Sequence, residues 1–202
     1  MLDHVFVQAI GALRSALDDA LLERHALDER FELELMLGDI TWETAYTLPG
    51  EGPSPRAQAA ITFEWSTWSQ SAYRSWLIGE GVDEPPEVTV EILFRVQRLA
   101  AAPNPADVLK AMPSAPPSLG GHPLEQRPPT IEQQLDEAGG GGRFALEVAY
   151  DGSYEVAERV LENDERLAED MAPLGGWIAS TLVRLTDLGL DFLPPDVDID
   201  MP

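Results

Sequence analysis

The chain has 202 residues, 44% of them hydrophobic, enough to bury a sizeable core, and its length suggests one domain. Its 36 acidic side chains outnumber 13 basic ones for a formal charge of −23, a balance that repels nucleic-acid backbones and anionic lipid and favours basic partners, cations or simple solubility. The absence of cysteine excludes disulfides, thiolate metal sites and cysteine nucleophiles. Lys110 is the only lysine, which leaves twelve of the 13 basic residues as arginine and points to a GC-rich bacterial genome or to salt adaptation.

The first residues, MLDHVFVQAIGALRSALDDALL, lack a basic n-region and a small-residue cleavage site, so no signal peptide is read. No stretch approaches 18 uncharged apolar residues, and the expected location is cytoplasmic without membrane contact. From residue 3 to 24, Phe6, Ile10, Leu13, Leu17 and Leu21 recur at helical spacing, which predicts an amphipathic helix able to cover the apolar face of a sheet.

Residues 31 to 48, FELELMLGDITWETAYTL, alternate apolar and polar residues and then change parity: Phe31, Leu33, Leu35 and Leu37 are odd, Ile40, Trp42, Tyr46 and Leu48 even. A hairpin with Gly38 and Asp39 as its loop explains the change and predicts a register in which paired positions sum to about 77. Leu35 then faces Trp42, and Glu34 opposes Glu43 with Glu32 one pleat away, a like-charge pair that water, a cation or a ligand must tolerate. After the turn-rich PGEGPSP, AAITFEW (59 to 65) turns Ile61, Phe63 and Trp65 to the core and Glu64 outward. A strand running on to Trp76 would be too long, so a bend is expected near Ser69 and Gln70. EVTVEILFRVQ (87 to 97) places Val88, Val90, Ile92, Phe94 and Val96 inward and Glu87, Thr89, Glu91, Arg95 and Gln97 outward.

Residues 100 to 142 hold eight prolines between Pro103 and Pro129 and end in four glycines, the composition of a crossing connection. Two short helices are predicted inside it, NPADVLKAM with Asn104 as N-cap and Pro105 at the first helical position, and TIEQQLDEAGG with Thr130 and Gln133 in capping-box spacing. RFALEVAY (143 to 150) alternates again and suggests a fifth strand; after Asp151, Gly152 and Ser153 either a hairpin return through Tyr154 and Val156 or a helix follows. A helix is expected from Ala157 to Met171, broken by Pro173, Gly175 and Gly176, then a last helix carrying Trp177, Ile178, Thr181, Leu182 and Leu185 to about Gly189, and an extended acidic tail from 191 to 202. The whole reads as one α+β domain: an antiparallel meander of four to five strands, the N-terminal helix on its apolar face, and C-terminal helices.

The outward carboxylates Glu34, Glu43, Glu64 and Glu91, with Arg95 beside them, form the most specific constellation, because crowded carboxylates can act as acid and base, hold a hard cation or receive a basic protein; the plain alternative is a solvated face. Trp68 and Trp76 fall out of phase with Trp65 and would offer exposed aromatics beside those charges if the strand continued, whereas a bend returns them to the core. DVDID sets Asp196, Asp198 and Asp200 at the spacing that opens a calcium loop, but neither the glycine nor the closing glutamate follows. His4, His25 and His122 lack metal spacing, and the glycine run lacks the Lys-Ser/Thr of a phosphate loop.

Over residues 5 to 99 the order of amphipathic helix, acidic hairpin and VTVEI strand resembles that of small trypsin-co-occurring domains of bacterial conflict systems, and the acidic α+β build is similar to that of type III secretion chaperones. No diagnostic residue accompanies the likeness, and no family is assigned. The expected function is therefore a non-enzymatic acidic binding or assembly protein, such as an adaptor, inhibitor or secretion chaperone, that meets a basic protein partner or a second copy of itself and uses no cofactor or metal. Glu34, Glu43, Glu64, Trp68, Glu91 and Arg95 are its candidate contact residues. The alternatives are a carboxylate-dependent hydrolase built on Glu34 and Glu43, and an acidic mimic of nucleic acid.

Overall fold

The computed structural model describes Gly11, Ala12, Ser15, Asp19 and residues 28–36, 39–48, 54–81, 84–135, 142–156 and 164–194. Five long antiparallel strands stand in the order β1 (Asp28–Met36), β2 (Asp39–Thr47), β3 (Ala57–Trp65), β4 (Glu87–Leu99) and β9 (Gly142–Glu155), and two short strands, β7 (Glu125–Gln126) and β8 (Thr130–Leu135), line the far edge of β9. Mixed helices and an antiparallel sheet make the fold α+β, as the strand and helix periodicities require.

The first hairpin forms, in a different register from the one expected. Paired positions sum to 75: Leu35 stands opposite Ile40, Leu33 opposite Trp42, Glu32 opposite Glu43 and Glu34 opposite Thr41. A two-residue shift leaves every side chain on its original face, so alternation alone cannot separate the two registers. What separates them is Asp39. It opens β2 instead of sitting in the loop, because its Oδ1 accepts the Thr67 N–H at 2.5 Å and the Thr67 hydroxyl at 2.7 Å.

That contact also explains why β3 ends where it does. The bend expected near Ser69 is a helix, α1 (Thr67–Leu77), with Ser66 as N-cap accepting from the Ser69 N–H at 3.1 Å and the Gln70 side-chain amide donating to the Trp65 carbonyl at 3.0 Å. Helical spacing then returns Tyr73 and Trp76 to the core, with Tyr73 edge-on to Trp65 and stacked on Trp76, while Trp68 is left outside. Gly79, at φ +77°, closes the helix end by donating to the Trp76 carbonyl.

Strand β4 is longer than expected and carries a bulge between Val96 and Leu99, where Arg98 takes φ 60°. There the chain beyond the last helix is strapped down: Leu99 bridges Phe192, Ala100 donates to the Asp191 carbonyl and Leu193 donates to the Arg98 carbonyl. Strand β9 neither turns back nor becomes helical after Tyr150; it runs on through Asp151, Gly152 and Ser153 to Glu155, paired with β4 throughout. Gly152 leaves room there for the Leu124 side chain, whose Cδ2 occupies the space that a Cβ at position 152 would take.

In the proline-rich connection, α2 (Pro105–Ala111) forms as predicted, with Asn104 accepting from the Ala106 N–H at 3.1 Å. A small hairpin follows, β5 (Ser118–Leu119) and β6 (His122–Pro123), turning on Gly120 and Gly121, both at positive φ. The predicted helix at Thr130 is instead strand β8. A short isolated helix is marginal in water, whereas the β9 edge offers this segment a ladder from Thr130 opposite Glu147 to Leu135 opposite Gly142. Between β7 and β8 the register against β9 slips by one residue, across Arg127, Pro128 and Pro129.

The last described helix, α3 (Asp164–Thr186), is continuous through Pro173, Gly175 and Gly176, contrary to the predicted break. Pro173 lies on the exposed side, so the helix loses one backbone bond there but no packing. Met171, Leu174, Ile178, Leu182 and Leu185 are all fully buried, which corresponds to on the order of 10 kcal/mol of gross transfer free energy. Trp177 anchors the connection by donating its indole N–H to the Ala115 carbonyl at 2.9 Å, and its ring meets Phe94 and Tyr150 edge-on. Of the predicted N-terminal helix only Gly11, Ala12, Ser15 and Asp19 are described; all four are helical, and Ala12 touches the core. The other residues of that predicted helix, the 157 to 163 segment, residues 136 to 141 with the first three glycines of the run, and the DVDID tail lie outside the described residues. No helix among the described residues is long and apolar enough to cross a membrane.

Candidate partner-binding face

With one face of the sheet committed to the core, alternation sends the remaining side chains of β2, β3, β4 and β9 to the other face. The registers align them in rows across the strands. One row reads Glu125, Asp151, Glu91, Thr62, Glu43 and, by backbone register, Glu32; the next reads Ser153, Thr89, Glu64, Thr41 and Glu34. On the other side of the first row lie Ala149, Leu93, Ala60 and Ala45, followed by Glu147, Arg95, Gln58 and Thr47.

Glu91 and Asp151 are directly opposed, and the guanidinium of Arg127 bonds to both, with Nε 2.6 Å from Asp151 Oδ2, Nη2 3.0 Å from Asp151 Oδ1, and Nη2 also bonded to Glu91. Arg95 behaves alike, reaching Glu132 on β8 at 2.8 Å and Glu147 on β9. Two arginines of the chain thus bridge carboxylates contributed by different strands, which is the arrangement that relieves like-charge opposition across a sheet.

The six residues expected to share a site are only partly brought together. Glu91 and Arg95 lie on the face but already hold internal ion pairs, Glu43 and Glu64 are exposed on it without a partner among the described residues, and Glu34 sits in the Glu64 row opposite Thr41. In the backbone register the expected Glu34/Glu43 opposition is therefore replaced by Glu32/Glu43, with Glu34 diagonal to Glu43. Trp68 does not belong to the sheet: it emerges from the first turn of α1, 51% exposed, next to the Thr67 that binds Asp39.

Strand β4 runs two residues past its last pair with β3, to Val88 and Glu87, still paired with β9, and the His122–Glu125 segment shares a cleft with this end of the two strands. The cleft has a volume of about 580 Å³ and is lined among others by Glu87, His122, Glu125, Asp151 and Glu155. Glu87 and Glu155 are again directly opposed. Sequence reasoning missed Asp151 and Glu155 because it stopped the fifth strand at Tyr150, missed Glu125 and Arg127 because it read their segment as a connection, and left Glu147 unused within the strand it did predict. The even spacing of Glu147, Asp151, Ser153 and Glu155 is the signal that a strand running through the glycine would have given. Among the described residues, no group of three or more His, Asp or Glu could hold a metal ion.

No family model matches the chain, and no curated protein or solved structure matches it at a significant level.

Proposed function

We propose that this chain is a non-enzymatic, acidic binding or assembly protein of the cytoplasm that receives a basic protein partner on its outer sheet face and the adjoining cleft. The observation that carries this reading is Arg127: opposed carboxylates on β4 and β9 take up a guanidinium of the chain itself. The same pairing of carboxylates recurs in the cleft at Glu87 and Glu155, and Glu43 and Glu64 add exposed negative charge to the same face. A net charge of −23 brings basic partners toward this surface and keeps nucleic acid away.

Octa-arginine titrated into the protein at low and at physiological salt tests the reading. Binding that weakens with salt, and that falls at least about fivefold in an E87Q/E155Q/E43Q/E64Q variant, is expected. Removing charge instead at the exposed Glu80 and Glu84 is expected to change affinity far less. Equal loss in the two variants would reduce the attraction to net charge and remove the site.

A further inference from the structure

The two edges of the sheet are built differently. On the far side of β9 the edge is made of two short strands with Pro128, Pro129 and a one-residue slip between them, features that blunt an edge against further pairing. At the other end the sheet order among the described residues stops at β1, nine residues paired with β2 without a slip and containing neither proline nor glycine. Met36 and Asp39 flank a two-residue connection, so that pair exchanges both backbone hydrogen bonds and the pattern alternates from there. It follows that Glu34, Glu32 and Arg30 spend their main-chain groups on β2, while Leu35, Leu33 and Phe31 turn theirs to the outer side of the strand. Such a row is a template for an added strand.

Charge decides what fits. The segment DERFELELM carries four acidic residues and one arginine, so a second copy would set like charges against each other, on top of the repulsion between two chains of −23. The row through Glu32 adds a second reason. At its β9 end, opposed acids are bridged by Arg127; at its β1 end, Glu32 stands opposite Glu43 with no described cation beside Glu43. We propose that β1 accepts an added β-strand from the basic partner, patterned alternately with apolar residues and arginine or lysine. Its basic side chains fall in line with the acidic outer rows, and its apolar side chains extend the core face. This deepens the basic-partner reading and rests on it.

The test uses the full chain at low salt and three peptides: eight residues alternating arginine and valine, the same composition as a block of arginines followed by a block of valines, and the alternating peptide with every second backbone nitrogen methylated. The alternating peptide is expected to bind at least about tenfold more tightly than the other two, since only it can complete several backbone hydrogen bonds, and to slow amide exchange at Phe31, Leu33 and Leu35. Equal binding of all three without slowed exchange overturns the added strand while leaving the acidic face as a charge-based receptor. Binding of none overturns both readings.

Discussion

Glu91 on β4 and Asp151 on β9 face each other directly across the strand pair, and one guanidinium, that of Arg127, bonds to both. The side chains are 42 to 49% exposed, so water already screens much of the repulsion. Replacing Arg127 by Ala is expected to lower stability by about 0.5–1 kcal/mol. Adding D151N should return part of that loss, and a double-mutant cycle in urea measures the coupling; strict additivity would mean that the bridge contributes nothing.

Thr67 gives the acid limb of stability a specific source. Its backbone N–H and then its hydroxyl hold the Asp39 carboxylate below the ordinary carboxylate range. A depressed folded pKa means that the unfolded chain takes up the proton first, so this stabilisation is complete above the ordinary carboxylate pKa and fades as pH falls through the lower folded value. Thermal melts of wild type and D39N from pH 7 to pH 2 should differ most at neutral pH and converge in acid. Parallel curves would show that the contact does not titrate.

Gly152 and Leu124 occupy one space. Gly152→Ala places a methyl against Leu124 Cδ2 and is expected to cost about 1–3 kcal/mol. In an L124A background the same change should cost almost nothing, because the atom it meets is gone. A similar penalty in both backgrounds would locate the strain in the β9 backbone.

Thr44 is fully buried on the core face of β2, and its hydroxyl has no partner among the described residues. Thr44→Val keeps the shape and removes the stranded polar group, so a gain of about 1 kcal/mol is expected in denaturant unfolding. Thr44→Ser, which keeps the hydroxyl and loses the methyl, should move stability the other way.

Alternation made the inner faces of β2, β3 and β4 legible: Trp42, Ile61, Phe63, Trp65, Val90, Ile92 and Phe94 are buried where the pattern put them. It could not see the register of the first hairpin, because a shift of two preserves every face, and the deciding contact comes from Thr67, 28 residues away. The helix through Pro173 was misread for a related reason. Local rules count the missing N–H, whereas the helix is held by Leu174, Ile178 and Leu182 against the sheet. Thr130 shows the converse: its capping-box spacing is real, but the β9 edge supplies a ladder that a short helix cannot match. Of the candidate site, the exposed acids on β2 and β3 could be read directly. The arginine bridges could not, since Arg127 meets Glu91 and Asp151 only once the chain has crossed to β9.

The slip at Arg127, Pro128 and Pro129 gives the molecule a direction. Among the described residues the interruption leaves the β9 flank without a continuous row of main-chain donors and acceptors, so the two flanks of the sheet are unequal and pairing between two β9 flanks is disfavoured.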